Sequence, residues 1–380
     1  MAGKPPISFS RLGAVVLKEF IQMKRDRLTF GMMVGIPLLQ LIVFGFAINS
    51  NPRNLPTGIL AADHGPFGRT IAHALVNSGY FSLSHRITTE HEAHDLIEQG
   101  AVQFVLTIPE DFTRRLIRGE TPDLLLEADA TDPAATGNAL AAINQLVQTA
   151  WNRDLKGALS DLRAKPPPVD LRIHAKYNPE AITQYNIVPG LMGIVLTMTM
   201  VMITALAITR ERERGTMENL LATPVRPVEV ITGKILPYIF VGYIQVALIL
   251  LLARVVFGVP MIGSIPLLLA CTFLFIAANL AVGITFSTVA RNQLQAVQMT
   301  FFFFLPSILL SGFMFPFRGM PIWAQGIGSI LPLTHYLRIV RGILLKGNGL
   351  PEVWHHLWPI LIFVTVAMAV GIKRYRQTLD

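Results

Sequence analysis

Two groups of residues in this sequence have the types and spacing to do chemistry or to pass on force. The first is a set of histidines, His64, His85, His91 and His94. His91 and His94 stand at i, i+3, so a helix would carry both rings on one face. No carboxylate-histidine spacing of an established metal site surrounds them, and solvated surface histidines are the simpler reading. The second group is the block ITRERERGTMENLLATPVRP, residues 208–227. Arginine and glutamate alternate from Arg210 to Arg214, and Gly215 then lets the chain turn. Thr216 can cap a short helix. Met217, Leu220 and Leu221 share one face of that helix, at i, i+3 and i+4. Pro224 and Pro227 stop it. Two short apolar steps cannot bury their own face. They suit a docking plug for a soluble partner, or a helix lying on lipid.

Other chemistries lack their residues. Cys271 is the single cysteine and lies in an apolar run, so neither an internal disulfide nor a thiolate metal cluster is available. No phosphate-binding G-x-x-x-x-G-K-[ST] loop is present. Lys234 follows Gly233, but Ile235 occupies the Ser/Thr place and the earlier glycine is missing. No cluster of Asp, His or Ser marks a membrane-edge active site. The chain is read as non-catalytic and as binding neither metal nor cofactor itself.

The elements that position the 208–227 block follow from hydropathy. Only 15% of the 380 residues are charged, against about 25% in soluble domains. A bilayer helix needs roughly 20 mostly apolar residues. Six runs qualify: 28–48, 184–209, 235–257, 265–289, 296–315 and 354–372. The first is too long for a signal-peptide core and lacks a small-residue cleavage site. Lys and Arg crowd residues 1–27, the 210–234 loop, Arg291 and the 373–380 tail, which all fall on one side if six spans are crossed. That side is the cytoplasm, with both termini in it. The net charge of +8 is therefore explained by bilayer orientation rather than by nucleic acid. The expected fold is an α-helical polytopic membrane protein of six transmembrane helices with an inserted extracytoplasmic α/β domain.

That domain is residues 49–183. TGILAAD (57–63), FSLSHRI (81–87), AVQFVLTI (101–108) and DLLLEAD (123–129) read as strands, with helical stretches between them. Thr89 is the expected cap of one helix, with Glu92 three later and Gly100 as terminator. Pro109 starts another that stops at Gly119. A long helix from Asp132 ends at KPPPVD. Residues 9–25 form an amphipathic interfacial helix, Leu12, Val15, Val16, Phe20 and Met23 on one face and Arg11, Lys18 and Arg25 on another. Residues 316–346 are apolar but broken by Pro316, Pro321 and Pro332, and read as re-entrant or interfacial helices on the outer side.

ERERGTMENLLATPVRPVEVITGKI resembles the cytoplasmic loop of type-2 ABC exporter permeases, where an E-x-E-x-G-T-x-E-x-L-x-x-x-P pattern recurs. Glu211, Glu213, Gly215, Thr216, Glu218, Leu220 and Pro224 fill it. The resemblance covers the whole chain, including Asp129, Thr131, Asp132 and Pro133 after the last domain strand and LPLTHYLRIVRGI (331–343) before the last span. It implies that the short helix fits a groove on a separate ABC ATPase subunit and transmits its closure to the spans. Met217, Glu218, Leu220 and Leu221 carry that role, supported by Glu211, Glu213 and Gly215. ATP and Mg would sit on the ATPase. LLSGF (309–313) echoes an ATPase signature loop, but within a span this is coincidence.

The resemblance further implies two permeases, identical or paralogous, in the bacterial inner membrane. The substrate path would run between them. Buried polar residues are candidates to line it: Gln40, Gln245, Asn279 and Gln298. Interhelical hydrogen bonds are the other reading of each. Met299, Phe302 and Met314 would add an apolar wall, which suits a hydrophobic or amphiphilic substrate such as a drug or lipid. The outer domain would dock a periplasmic adaptor. A membrane receptor with a ligand-binding outer domain is the alternative, but its short cytoplasmic loops leave no room for an output domain.

Overall fold

The computed structural model describes residues 9–25, 27–49, 51–129, 133–153, 155, 177–213, 215 and 227–377. It forms two compact units. One is Asn49–Ala181, and the other joins the residues before it to those after it.

The chain opens with α1 (Phe9–Arg25) and α2 (Arg27–Ala47). The Asn49–Ala181 unit follows, as β1 (Leu55–Ala61), α3 (Pro66–Asn77), β2 (Phe81–Ile87), α4 (Glu90–Glu98), β3 (Phe104–Ile108), α5 (Phe112–Ile117), β4 (Leu125–Ala128) and α6 (Pro133–Thr149). The four strands make one sheet in the order β2-β1-β3-β4. β1 is parallel to β2 and to β3, and β4 returns antiparallel to β3. Side chains on a strand alternate between faces. Phe104, Leu106 and Ile108 accordingly pack with Phe67, Ile71 and Leu75 of α3, Phe112 of α5 and Ile143 of α6. Val105 points the other way, to Ala93 and Leu96 of α4. The expected strands coincide with these four to within a few residues. Thr89 caps α4 as its sequence position requires, accepting the Glu92 N–H at 3.2 Å, and Gly100 takes the left-handed φ of +69° just past its end.

The second unit resumes with α7 (Thr183–Glu213), α8 (Pro227–Val255), α9 (Ile265–Val289), α10 (Gln293–Leu310), α11 (Ile322–Ile330), α12 (Pro332–Arg341) and α13 (Leu350–Gln377). α7 is apolar and buried around most of its circumference from Ile187 to Val201, and it packs against α2, α8, α9, α10 and α12. A helix hydrophobic all round is a core helix. Its threonines do not spoil that core. Thr197, Thr204 and Thr209 donate their hydroxyls to the carbonyls of Gly193, Met200 and Ala205 at 2.8, 2.9 and 2.8 Å. α12 packs beside α7, with Tyr336 stacked on Phe275 of α9, centroids 3.9 Å apart.

Five of these helices are long and apolar enough to cross a membrane: α7, α8, α9, α10 and α13. The expected span 28–48 corresponds to α2, whose described apolar part runs only from Met33 to Ala47. The expected span 296–315 becomes a helix ending at Leu310, because Gly312 turns at φ +84° while the aromatic run continues into the loop. The outer surface is apolar, with Leu39, Phe46, Leu251, Phe302 and Val366 all more than half exposed. Such a surface is stable when lipid rather than water covers it. The 316–346 segment contains α11 and α12, each too short to cross.

Candidate functional site

The 208–227 block begins as the last turn of α7. Gly215 then adopts φ +67°, which a residue without Cβ accepts cheaply, and its N–H bonds the Arg212 carbonyl at 3.2 Å. Thr216, Met217, Glu218, Leu220, Leu221 and Pro224 lie outside the described residues. The chain is described again from Pro227, where α8 starts with proline in a helix's first turn.

What is described is the base of the loop. Glu211 Oε1 accepts from Lys234 Nζ at 2.8 Å and from Lys18 Nζ at 3.1 Å. Glu19 Oε1 lies 3.3 Å from Lys234 Nζ and 3.5 Å from Lys18 Nζ. Two carboxylates and two ammoniums from α1, α7 and α8 thus close a cluster around the point where the loop leaves and returns. Glu19 and Lys234 are 5% and 4% exposed, so this is a buried cluster, not a solvated pair. Charges out of water need good mutual geometry to offset desolvation. Lys18 is half exposed. Burial alone would lower its pKa, but Glu211 and then Glu19 outweigh that and hold it above the ordinary lysine value. Gly233 makes the cluster possible. A Cβ there would stand 2.6 Å from Val15 Cγ1, so only glycine lets α1 approach α8 this closely. Phe20 of α1 meets Phe240 of α8 edge-on, centroids 5.9 Å apart.

Glu213 points elsewhere. Residues i and i+2 on a helix do not share a face. Its Oε1 accepts the backbone N–H of Gln293 at 2.7 Å, and its Oε2 accepts from the Gln293 side chain. Gln293 opens α10, where Asn292 caps the helix by accepting the Gln295 N–H at 2.8 Å. Arg210 Nε reaches Gln293 Oε1 at 3.4 Å. The E-x-E pair therefore divides its work. Glu211 ties the loop base to α1 and α8, and Glu213 ties it to α10.

Glu19 and Gln293 stand out in no motif of the sequence, and Lys18 stands out only as one charge on the basic face of residues 9–25. A signal for Glu19 existed. It is the sole acid in residues 9–25 and stands four after Val15, the buried side chain of that helix.

The polar span residues are spread through the bundle. Gln245 is 1% exposed and joins three helices, accepting from Thr199 of α7 at 3.0 Å and donating to the Met33 carbonyl of α2 at 2.6 Å. Gln40 Nε2 lies 3.9 Å from Met198 Sδ, beside that seam. Asn279 is fully buried in α9 and donates to the Phe275 carbonyl at 2.9 Å. Gln298 and Phe302, one turn apart on α10, face outward, Phe302 being 83% exposed. Met299 is half-buried on α10 and Met314, beyond its end, is exposed. His91 and His94 sit on the surface of α4 near Asp95 and Glu98. No group of three or more His, Cys, Asp or Glu is arranged for a metal among the described residues.

Residues 27–373 match the family of ABC-2 family transporter proteins. The chain belongs to that family. This ABC-2 permease is 31% identical over 349 residues to the probable multidrug ABC transporter permease YbhS of Escherichia coli, covering 90% of this chain and 91% of the relative. It is 27% identical over 369 residues to the probable multidrug ABC transporter permease YbhR of the same organism, covering 97% and 99%. To the inner membrane transport permease YhhJ, also of Escherichia coli, it is 30% identical over 363 residues, covering 90% and 93%. The near-complete coverage on both sides places both units of the permease within the shared architecture. As a member of this family it is a multi-pass membrane subunit of an ABC transporter.

Proposed function

We propose that this permease is the membrane half of an ATP-driven exporter, energised by a separate ABC ATPase that docks on the 210–227 loop. The spans are α2, α7, α8, α9, α10 and α13, with both termini in the cytoplasm of a bacterial inner membrane and residues 49–183 outside. The observation that carries the reading is the buried Glu211–Lys234 pair across the loop base, 2.8 Å long. A loop held this way at both ends does not absorb a push by fraying. Force on Met217, Glu218, Leu220 or Leu221 passes to α7 and α8 together, to α1 through Lys18 and Glu19, and to α10 through Glu213. Gly215, Thr216 and Pro224 complete the motif that the ATPase would meet.

The substrate is hydrophobic or amphiphilic. Two of the relatives are named as multidrug permeases, and α10 turns Gln298 and Phe302 away from its own bundle. A second copy or a paralogue facing α10 would complete a path there, with Met299 and Met314 along it. Gln40, Gln245 and Asn279 would stand behind that path, inside the bundle, rather than on it. The outer domain docks a periplasmic adaptor, and deletion of residues 52–180 then abolishes export without abolishing ATPase binding.

The test is co-purification and ATPase activity with the ATPase encoded beside this chain. Wild type forms a complex, whereas Glu218→Arg and Leu220→Asp lose it while the permease still folds. A permease that never associates with an ATPase, or variants that bind as well as wild type, would overturn the reading.

A further inference from the structure

The end of the bundle opposite the Glu211–Lys234 cluster is built from the start of α7, the end of α10, α11, α12 and the start of α13. Its charge is one-sided. Between Glu229 and Asp380 the sequence holds a single acid, Glu352. Glu352 is occupied locally, its Oε2 accepting the Gly349 N–H at 2.9 Å. Against it stand Arg318 and Arg338, with the rings of His335 and His356 nearby. Arg338 lies over the Phe317 ring, Cζ 4.7 Å from the centroid, and close enough to Arg318 for the two to repel. It also faces His335 and His356.

The histidines are joined. His335 Nε2 is 2.8 Å from the Ser329 carbonyl, which only accepts, so Nε2 carries the proton. His335 Nδ1 then accepts from His356 Nδ1 at 3.4 Å. His355 adds a third ring beside His356. The two neutral rings of His335 and His356 bring no counter-charge to the arginines, and two guanidiniums held near one another repel unless an anion lies between them.

A second observation says where such an anion comes from. Three of the protein's four tryptophans are Trp323, Trp354 and Trp358, all in this stretch. They are 68%, 52% and 47% exposed. Tryptophans gather at the headgroup level of a bilayer. Ile322, Trp323, Ile327 and Ile330 share one exposed face of α11, at 88%, 68%, 47% and 68%. That face is shaped to lie among acyl chains.

We propose that Arg318 and Arg338 bind the phosphate of a membrane phospholipid, its acyl chains lying on the exposed face of α11. Guanidinium groups match phosphate oxygens with paired donors, which lysine does not. The apolar face explains a lipid in preference to free phosphate, since an inorganic ion would leave Ile322, Ile327 and Ile330 uncovered.

The test is native mass spectrometry of the full-length permease in mild detergent, after stripping and re-addition of phosphatidylglycerol. Wild type retains the lipid against excess inorganic phosphate. Arg318→Gln with Arg338→Gln retains at least about tenfold less, whereas Arg291→Gln, at the other end of the bundle, behaves as wild type. The single variant R318Q gives an intermediate loss and serves if the double variant is poorly folded. W323A weakens retention without changing the response to phosphate. Equal retention by wild type and the arginine variants overturns the site. Displacement by inorganic phosphate assigns the arginines to a free anion. A change in oligomeric mass with lipid retained assigns the α11 face to a second copy.

Discussion

Lys234 Nζ stands 2.8 Å from Glu211 Oε1, joining the end of α7 to the first half of α8. The pair is 23 residues apart in sequence yet buried among α1, α7 and α8, and Glu19 and Lys18 complete it.

Lys234→Met tests that clasp. It leaves Glu19 and Glu211 facing one another without their shared buried cation. Removing one partner of a buried pair costs about 3–5 kcal/mol. The melting temperature of the purified permease should fall by several degrees, and Glu211→Gln in the same background should recover part of the loss. A melting temperature unchanged by Lys234→Met would mean that the cluster is solvated in the membrane-bound protein.

Glu213→Ala should leave the global melt nearly unchanged, because Glu213 lies at the surface. Its effect is local. The start of α10 loses the acceptor of the Gln293 N–H, so hydrogen exchange over residues 291–296 should quicken. Exchange no faster than in wild type would show that the Asn292 cap suffices alone.

Gln245→Leu separates two roles for a polar residue inside a span. Its bonds to Thr199 and to the Met33 carbonyl hold three helices together, and interhelical bonds of this kind are worth about 0.6–2 kcal/mol. The expected result is a lower melting temperature with an unchanged substrate profile. Gln298→Leu, on the exposed side of α10, should do the reverse. An altered substrate profile from Gln245→Leu would put that residue on the path.

Tyr336→Phe keeps the stack on Phe275 and loses only the 2.8 Å contact with Thr272 Oγ1. Thr272 still donates to the Leu268 carbonyl, so the cost should be about 1 kcal/mol. Tyr336→Ala also opens a cavity at a fully buried site and should cost about 3–5 kcal/mol. Similar melting temperatures for the two variants would place the stability in the hydroxyl and not in the ring.

Acid should loosen the Asn49–Ala181 unit through Asp63. Burial alone would raise its pKa, but hydrogen bonds from Thr113 and from the Gly65 N–H outweigh that and hold it below the ordinary carboxylate value. A carboxylate lowered by folding contributes stability above its unfolded pKa of about 3.9, and that stability is lost as pH falls through the folded value. Hydrogen exchange across β3 and α5 should therefore rise at low pH, and Asp63→Asn should be faster at neutral pH and less responsive to acid. Identical acid responses in both proteins would assign the effect to another group.

Much of the architecture was legible because its causes are local. The strands show in period-two hydropathy, and Thr89 caps α4 through an N–H three residues away. The five helices long and apolar enough to cross a membrane show because a segment in lipid must satisfy its own backbone, so length and hydropathy identify it. The E-x-E-x-G-T pattern was legible as a family motif. Its physical logic was not. That Glu211 and Glu213 serve different helices follows from their spacing, but which helices they serve does not. Lys18 lies 193 residues from Glu211, and Glu19 reads in sequence as one charge on an amphipathic surface helix. Only packing, with Gly233 admitting Val15 against α8, turns Glu19 inward. Composition and periodicity determined a membrane protein with an α/β domain and a charged loop, since those depend on neighbours along the chain. The tertiary structure alone decided which distant charges meet at the loop base, because burial and ion pairing depend on neighbours in space.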